Sequence, residues 1–266
     1  MVKIIWMSDP HFADQGDLMD HDPRIRLQAA IDHINQHHDG ADFCVISGDM
    51  VNRGTDAGYR ALQDMLSTLS IPVMPMVGNH DDRTLLRDHL PLPQSCMEEF
   101  VQYRMDTPDG TIACLDTLKP GSDAGEMCSA RFSWLHELLQ AAGDTPVYLF
   151  MHHPPMPLGL PIQDTENLLN GDTLLNLLSE YNCVKHLFIG HVHRPITGTI
   201  RGIPFATMRS VALQAPAPRP AWTWETFQPA KEAPNLGVLT IEESNVTLHY
   251  EQFCGFDLGV TPVEPN

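Results

Sequence analysis

The sequence is short of positive charge: 16 Lys and Arg stand against 34 Asp and Glu, a formal charge of −18 over 266 residues. No basic stripe is available to neutralise a phosphate backbone, which disfavours duplex nucleic acid as a partner. Cysteine is scarce, with six residues (Cys44, Cys96, Cys114, Cys128, Cys183, Cys254) and no C-x-x-C pair. Cys44 and Cys114 fall inside apolar runs, so the set reads as buried thiols in a reducing compartment rather than a disulfide framework. No stretch approaches the roughly 20 apolar residues that span a bilayer. The apolar start over residues 2–7 turns polar at Ser8-Asp9, too short for the core of a signal peptide. Internal repeats and low-complexity runs are absent. Together these absences point to a soluble cytoplasmic protein, long enough to bury a substantial core as one large domain or a domain with an appendage.

What is present is an alternation of strands, loops and helices. Residues 2–7 read as a strand and 23–37 as a helix, with apolar residues at Ile25, Ala29, Ala30 and Ile34. A strand over 43–47, a helix over 59–69, a strand over 72–77 and a short helix over 83–89 follow. This order marks a layered α/β domain with mostly parallel strands. From residue 100 the pattern changes: 100–105 and 111–116 flank Asp109-Gly110, a hairpin signal. A helix over 129–142 has Ser129 placed to cap it and Gly143 just beyond its end. Strands over 147–151 and 186–189 bracket a helix over 166–178, and 196–200 with 203–207 surround Arg201-Gly202. Antiparallel strands over 238–241 and 246–250 close the chain. Before them, 215–234 carries Pro216, Pro218, Pro220, Pro229 and Pro234 with Trp222, Trp224 and Phe227, which precludes a regular element. Its aromatics are costly to leave in water, so the segment is expected to pack as a lid near a site or as a contact between subunits. The plainer alternative is an ordered surface loop with its aromatics tucked beneath.

Five polar clusters each follow an apolar run: Asp9-Pro10-His11, Gly48-Asp49, Gly78-Asn79-His80-Asp81, His152-His153 and Gly190-His191-Val192-His193. Side chains delivered from strand ends of a sheet can converge on one point. Asp9, His11, Asp49, Asn79, His152, His191 and His193 offer three oxygen and four nitrogen donors, too many for one tetrahedral zinc. The set suits two metals sharing one carboxylate, and its mixed imidazole and carboxylate character favours Mn, Fe, Zn or Co over Mg or Ca. Two metals about 3.5–4 Å apart hold a hydroxide as nucleophile and polarise the phosphoryl oxygens of an in-line displacement. His80, beside Asn79, is placed to donate a proton to the leaving oxygen or to stabilise its charge. Gly48 and Gly78 would let the backbone turn sharply. Asp9-Pro10-His11 or Gly48-Asp49 alone carries little weight; the ordered set of five carries the inference.

That order, D-x-H, G-D, G-N-H-D, H-H and G-H-x-H, resembles the calcineurin-like metallophosphoesterases. The stretches Gly78-Asn79-His80-Asp81-Asp82, 151–159 and Gly190-His191-Val192-His193-Arg194-Pro195 are similar to the branch of class III cyclic nucleotide phosphodiesterases and glycerophosphodiesterases. The resemblance implies one metal on Asp9, His11, Asp49 and His193 and another on Asp49, Asn79, His152 and His191. Asp49 would bridge and His80 assist catalysis. It also implies a four-layer αββα sandwich of two mixed β-sheets flanked by helices. Residues 1–210 would then be the catalytic domain, and 211–266 a lid or oligomer contact on it.

Alternating side-chain direction along a strand lets only one of His152 and His153 ligate. The resemblance selects His152, leaving His153 to contact ligands or substrate. Asn52 is either near the site or a solvated loop residue. Arg194 reaches substrate phosphate or makes a surface salt bridge. Asp81 and Asp116 orient loops or His80, and the histidines outside the clusters, His33 and His38 among them, are treated as ordinary.

The implied substrate is a small phosphodiester, a cyclic nucleotide or a glycerophosphodiester. Alternatives are a phosphomonoesterase, a phospholipid head-group hydrolase and a noncatalytic scaffold. Protein phosphatase is disfavoured, because Asn52 and Asp81 stand where those enzymes carry Asp and Glu. The tyrosine ligand of purple acid phosphatases is missing from Met50, Val51 and Asn52. The proline-rich segment and the resemblance favour a homo-oligomer, a dimer or larger.

Overall fold

The computed structural model describes residues 1–219 and 222–260. Among these residues eleven strands fall in two mixed sheets. In the first, β1 (Val2–Met7) lies between β10 (Asn235–Glu242) and β2 (Phe43–Ile46), with β11 (Asn245–Gln252) and β3 (Val73–Pro75) at the edges. β1, β2 and β3 run parallel, whereas β10 is antiparallel to β1 and to β11. The second sheet takes the order β4 (Tyr103–Thr107), β5 (Gly110–Leu115), β6 (Val147–Met151), β7 (Val184–Ile189), β9 (Ile203–Thr207) and β8 (Thr197–Ile200). Its strands β5, β6, β7 and β9 are parallel.

The two-residue period of the strands explains the layering. Along the second sheet, Ile112, Cys114, Tyr148, Phe150 and Phe188 join the core of the first sheet. Their alternates Ala113, Leu115, Leu149, Met151, Leu187 and Ile189 pack with leucines of α4 (Ser129–Ala142) and α5 (Gly171–Ser179). On the far side, α1 (Pro23–His37), α2 (Asp56–Leu66) and α3 (Arg83–His89) contribute Leu27, Ile31, Ile34, Leu62 and Leu86 to the first core. The result is helix, sheet, sheet, helix, the expected sandwich. Trp6 sits at its centre, with no exposure and its ring edge-on to Phe150 and Phe188 at 5.8 and 5.4 Å. Its indole N–H donates to Ser47 Oγ at 2.9 Å, which satisfies the one polar atom of the ring.

Several boundaries depart from the sequence expectation for local reasons. α2 begins at Asp56 instead of residue 59, because Thr55 caps it by accepting from the Gly58 amide, three residues before the apolar stripe starts. α4 is flanked by Cys128, with Ser129 already inside the helix, and has no side-chain cap bond. The expected helix over 166–178 is broken: Gln163–Glu166 forms a 3-10 turn and α5 starts only at Gly171. There the chain passes so close to Pro155 that a Cβ on Gly171 would lie 2.1 Å from its carbonyl oxygen. The cysteines are all free, but only Cys44, Cys114 and Cys183 are buried; Cys96, Cys128 and Cys254 are partly exposed. Among the described residues no helix is long and apolar enough to cross a membrane.

Truncating Trp6→Ala removes the largest side chain between the sheets and leaves Ser47 without its donor. We expect a loss of about 3–5 kcal/mol of stability, read as a lowered urea midpoint at unchanged slope; a loss under about 1 kcal/mol would show that the sheets are not coupled through this residue.

Candidate metal centre

The end of β1 delivers Asp9 and His11, β2 delivers Asp49, the loop after β3 delivers Asn79 and His80, β6 delivers His152, and β7 delivers His191 and His193. The backbone at these positions is unusual. Asp9, His11, Asp49, His191 and His193 all have left-handed φ, between 42° and 69°. For residues with a Cβ such conformations cost on the order of 1–3 kcal/mol each and persist only where the surroundings enforce them. Here they fold each strand end back so that its side chain turns inward. Hydrogen bonds lock the turns: His11 N donates to Asp49 O at 2.9 Å and His191 N to Asp9 Oδ1 at 3.0 Å.

The glycines act partly by space. Gly48 has the positive φ, +98°, that the turn was expected to require, whereas Gly78 does not. A Cβ on Gly78 would lie 2.2 Å from Asp49 Oδ1, so its absence makes room for the carboxylate.

All seven expected ligands come together. His11 Nε2 lies 3.0 Å from His193 Nε2 and 3.4 Å from Asp49 Oδ2, and His193 Nε2 lies 3.4 Å from Asp9 Oδ1. On the other side His152 Nε2 and His191 Nδ1 approach Asn79 Oδ1 at 3.2 and 3.1 Å and each other at 3.3 Å. His152 Nε2 is also 3.4 Å from Asp49 Oδ2, so that one oxygen stands equally far from a histidine of each group. Such separations are the edges of a coordination polyhedron whose bonds are about 2.0–2.2 Å. The donor set therefore fits two divalent cations. Two of the outer atoms are fixed: His152 Nδ1 faces Ser47 O at 2.8 Å, turning Nε2 inward, and Asp49 Oδ1 accepts the His80 amide at 3.0 Å, leaving Oδ2 for the centre.

The electrostatics of His11 and His191 suit ligation, and a cation would take the place of the proton that the carboxylates draw onto His152. Burial pushes His11 and His191 down to about 3, so both rings are neutral with lone pairs to give. Burial opposes ionisation of Asp49, but His152 and His11 override it and hold the carboxyl well below its usual range. Burial would lower His152 as well, yet the charges of Asp49 and Asp9 lift it to about 9.

The neighbours separate into distinct duties. His80 Nδ1 donates to Asn52 O at 2.9 Å, which leaves Nε2 as the ring's remaining polar atom, and both residues line the cavity. Burial lowers the His80 pKa, but Asp49, Asn52 and Asp81 together raise it above its ordinary value. The Asp81 carboxylate accepts from the amides of Met50, Val51 and Gly78 and from Tyr59 Oη, tying the β2 turn to the β3 loop. Burial and the Asp49 charge push it up to about 7. Asp116 receives Arg83 and Arg131 and shapes the second sheet's loop. Arg194 binds Ala215 O at 3.0 Å and approaches Glu232 at 3.5 Å, anchoring the proline-rich segment.

His153 does not point away from His152 as strand alternation implied, because β6 ends at Met151; its ring lies 4.9 Å from that of His191. Both its nitrogens are engaged, Nδ1 with Thr117 Oγ1 at 2.7 Å and Nε2 with Asp123 O at 3.1 Å. A metal there would have to displace one of them. His33 and His38, set aside as ordinary, meet at Glu251 Oε1 at 2.6 and 3.2 Å, an arrangement that two N–H donors on one carboxylate explain.

Above the ligands lies a cavity of about 420 Å³. Its walls include Leu18, Asp123, Glu166, Leu213, Trp224 and Phe227, none of which the sequence motifs singled out as site residues. Trp224 and Phe227 had a signal, as aromatics in a segment unable to form a regular element; Glu166 had none, being read as the first residue of a helix. Among the described lining residues there is no Lys or Arg. The charge of a bound phosphoryl group would therefore fall to cations and imidazoles.

Residues 2–195 match the Calcineurin-like phosphoesterase family model. A Rhodopseudomonas palustris protein named a probable cyclic nucleotide phosphodiesterase is 34% identical over 260 residues, covering 96% of this chain and 93% of its own. The glycerophosphodiester phosphodiesterase GpdQ of Enterobacter lignolyticus is 30% identical over 79% of this chain and 77% of its own. The crystal structure of a dimetal phosphatase from Danio rerio superposes with a TM-score of 0.74 over 96% of this chain and 97% of its own, at 15% identity, a likeness of fold alone. On sequence and on architecture together, the chain belongs to the calcineurin-like phosphoesterases.

Proposed function

We propose that the protein hydrolyses small phosphodiesters with two divalent cations, one held by Asp9, His11, Asp49 and His193 and the other by Asp49, Asn79, His152 and His191. The observation that carries the proposal is Asp49 Oδ2, equidistant at 3.4 Å from His11 and His152, the position a bridging carboxylate takes. Relatives named as phosphodiesterases of cyclic nucleotides and of glycerophosphodiesters support the substrate class.

Bound there, the cations would supply the Lewis acidity that polarises the phosphoryl group and makes water nucleophilic at neutral pH. The chain's own residues do the rest. His80, held through Nδ1 by Asn52 O, keeps its other nitrogen for the leaving oxygen, to which it donates a proton. Asp81 keeps the Asp49 and Asn79 loops in register. Trp224 and Phe227, ring centroids 5.3 Å apart, form an apolar wall that shields the reacting groups from water and packs against the alcohol portion of the substrate. In this reading residues 1–210 carry the ligands, the described residues of 211–260 belong to the same domain, and Trp224 and Phe227 make the described part of 215–234 a lid; 220–221 and 261–266 lie outside the described residues. The protein is read as cytoplasmic, and as a dimer or larger assembly.

Purified protein loaded with Mn or Zn should carry two metals and cleave bis-p-nitrophenyl phosphate faster than the monoester; an inactive, metal-free protein after loading would overturn the proposal. His80→Ala should lower kcat about 10²–10⁴-fold with both metals kept, whereas Asp49→Ala should lose them. Metal analysis beside initial rates separates the two, and full activity in His80→Ala would remove it from catalysis. A panel of cyclic AMP, glycerophosphocholine, glycerophosphoethanolamine, a phospholipid and a monoester at equal concentration ranks the substrates.

A further inference from the structure

His191 turns Nδ1 toward the centre, 3.1 Å from Asn79 Oδ1 and 3.3 Å from His152 Nε2. A neutral imidazole that gives the Nδ1 lone pair to a cation must carry its proton on Nε2. That nitrogen is buried and has no hydrogen-bond partner. A buried N–H without an acceptor is disfavoured, and a ring without that bond would be less firmly oriented as a ligand. The carboxylate facing it is that of Glu166, whose Oε2 lies 4.0 Å from His191 Nε2. Glu166 closes the 3-10 turn Gln163–Glu166, and its other oxygen accepts the indole N–H of Trp224 at 2.9 Å. One carboxylate thus spans a metal ligand and the proline-rich segment.

We propose that Glu166 is a positioning residue for the metal centre. With the site loaded, its Oε2 closes on the Nε2–H of His191 and fixes that ring's tautomer and tilt, while Trp224 holds the carboxylate in place. The packing of the segment over the cavity is thereby coupled to the geometry of one metal. This rests on the two-metal reading above, in which His191 ligates through Nδ1. Burial, with the charges of Asp123 and Asp49, raises the Glu166 pKa, an effect the Trp224 indole N–H and His80 oppose in part. Closing the 4.0 Å gap asks only for a small rotation of the carboxylate about the oxygen that Trp224 holds.

The test compares full-length wild type with Glu166→Gln, Glu166→Ala and Trp224→Phe, all loaded with Mn(II) or Zn(II) and competed against a chelator. In Glu166→Ala one of the two metals should weaken by about 10–100-fold while the other is unchanged, and kcat on bis-p-nitrophenyl phosphate should fall more than KM rises. Glu166→Gln, which keeps an oxygen acceptor, should recover a substantial part of the affinity. Trp224→Phe keeps the ring but not the N–H and should produce a smaller loss at the same metal. Wild-type affinity for both metals in Glu166→Ala would overturn the proposal. So would a lowered melting temperature of the metal-free variant with no selective loss of one metal. If wild type itself fails to bind two metals, it is the two-metal reading that falls.

Discussion

Everything in the site depends on one electrostatic constraint: two carboxylates and four imidazoles must be held within a few ångströms of one another inside the protein. Asp9, His11, Asp49, His152 and His191 are all buried, and pairs such as His11 Nε2 and His193 Nε2 meet at 3.0 Å. Such a set is balanced without a cation only by protons shared between its rings and carboxylates, and burial is costly for every group that stays polar or charged. Divalent cations resolve both costs together. The fold's part is to keep the ligands in place, and it does so with five left-handed backbone positions that would be expensive anywhere else.

The sandwich makes that expense bearable. Trp6, Phe150 and Phe188 lock the two sheets face to face, so that the strand ends of both point into one cleft. The candidate ligands come from both sheets: Asp9, His11, Asp49 and Asn79 from the first, His152, His191 and His193 from the second. Displacing one sheet relative to the other would pull Asp49 away from His152. The packing between the layers and the chemistry at their rim are thus one problem, and Ser47 joins them: its hydroxyl takes the Trp6 indole N–H and its carbonyl takes the His152 imidazole.

Much of this was legible in the sequence, because the ligands are short motifs at the ends of apolar runs and the sandwich alternates at period two. The order of motifs identified seven residues that the structure brings together, and the helices over 23–37, 83–89 and 129–142 have the expected bounds. What was not legible depends on contacts distant in the chain. Nothing in the spacing of Gly78 reveals that it makes room for the Asp49 carboxylate, 29 residues earlier. Nor does position alone distinguish Glu166, at the end of a 3-10 turn facing His191, from the first residue of a helix. The orientation of His153 departs from the alternation rule because it lies two residues past the end of its strand.

The overall charge of the chain and the lining of its cavity lead to the same conclusion. A protein of formal charge −18, whose described cavity walls hold carboxylates but no Lys or Arg, repels a phosphate ester until cations are in place. Two divalent ions bring four positive charges to one point, enough to reverse the field locally while the rest of the surface stays acidic. Under the proposed function, metal loading would then set whether substrate enters as well as how fast it reacts. The same field discriminates among substrates: a single phosphodiester feels the centre strongly, whereas a polyanion must also bring its further charges against an acidic surface. Under the proposed function, selectivity for small diesters would in this sense be a property of the whole chain, with the aromatic wall at Trp224 and Phe227 acting on substrates that the charge has admitted.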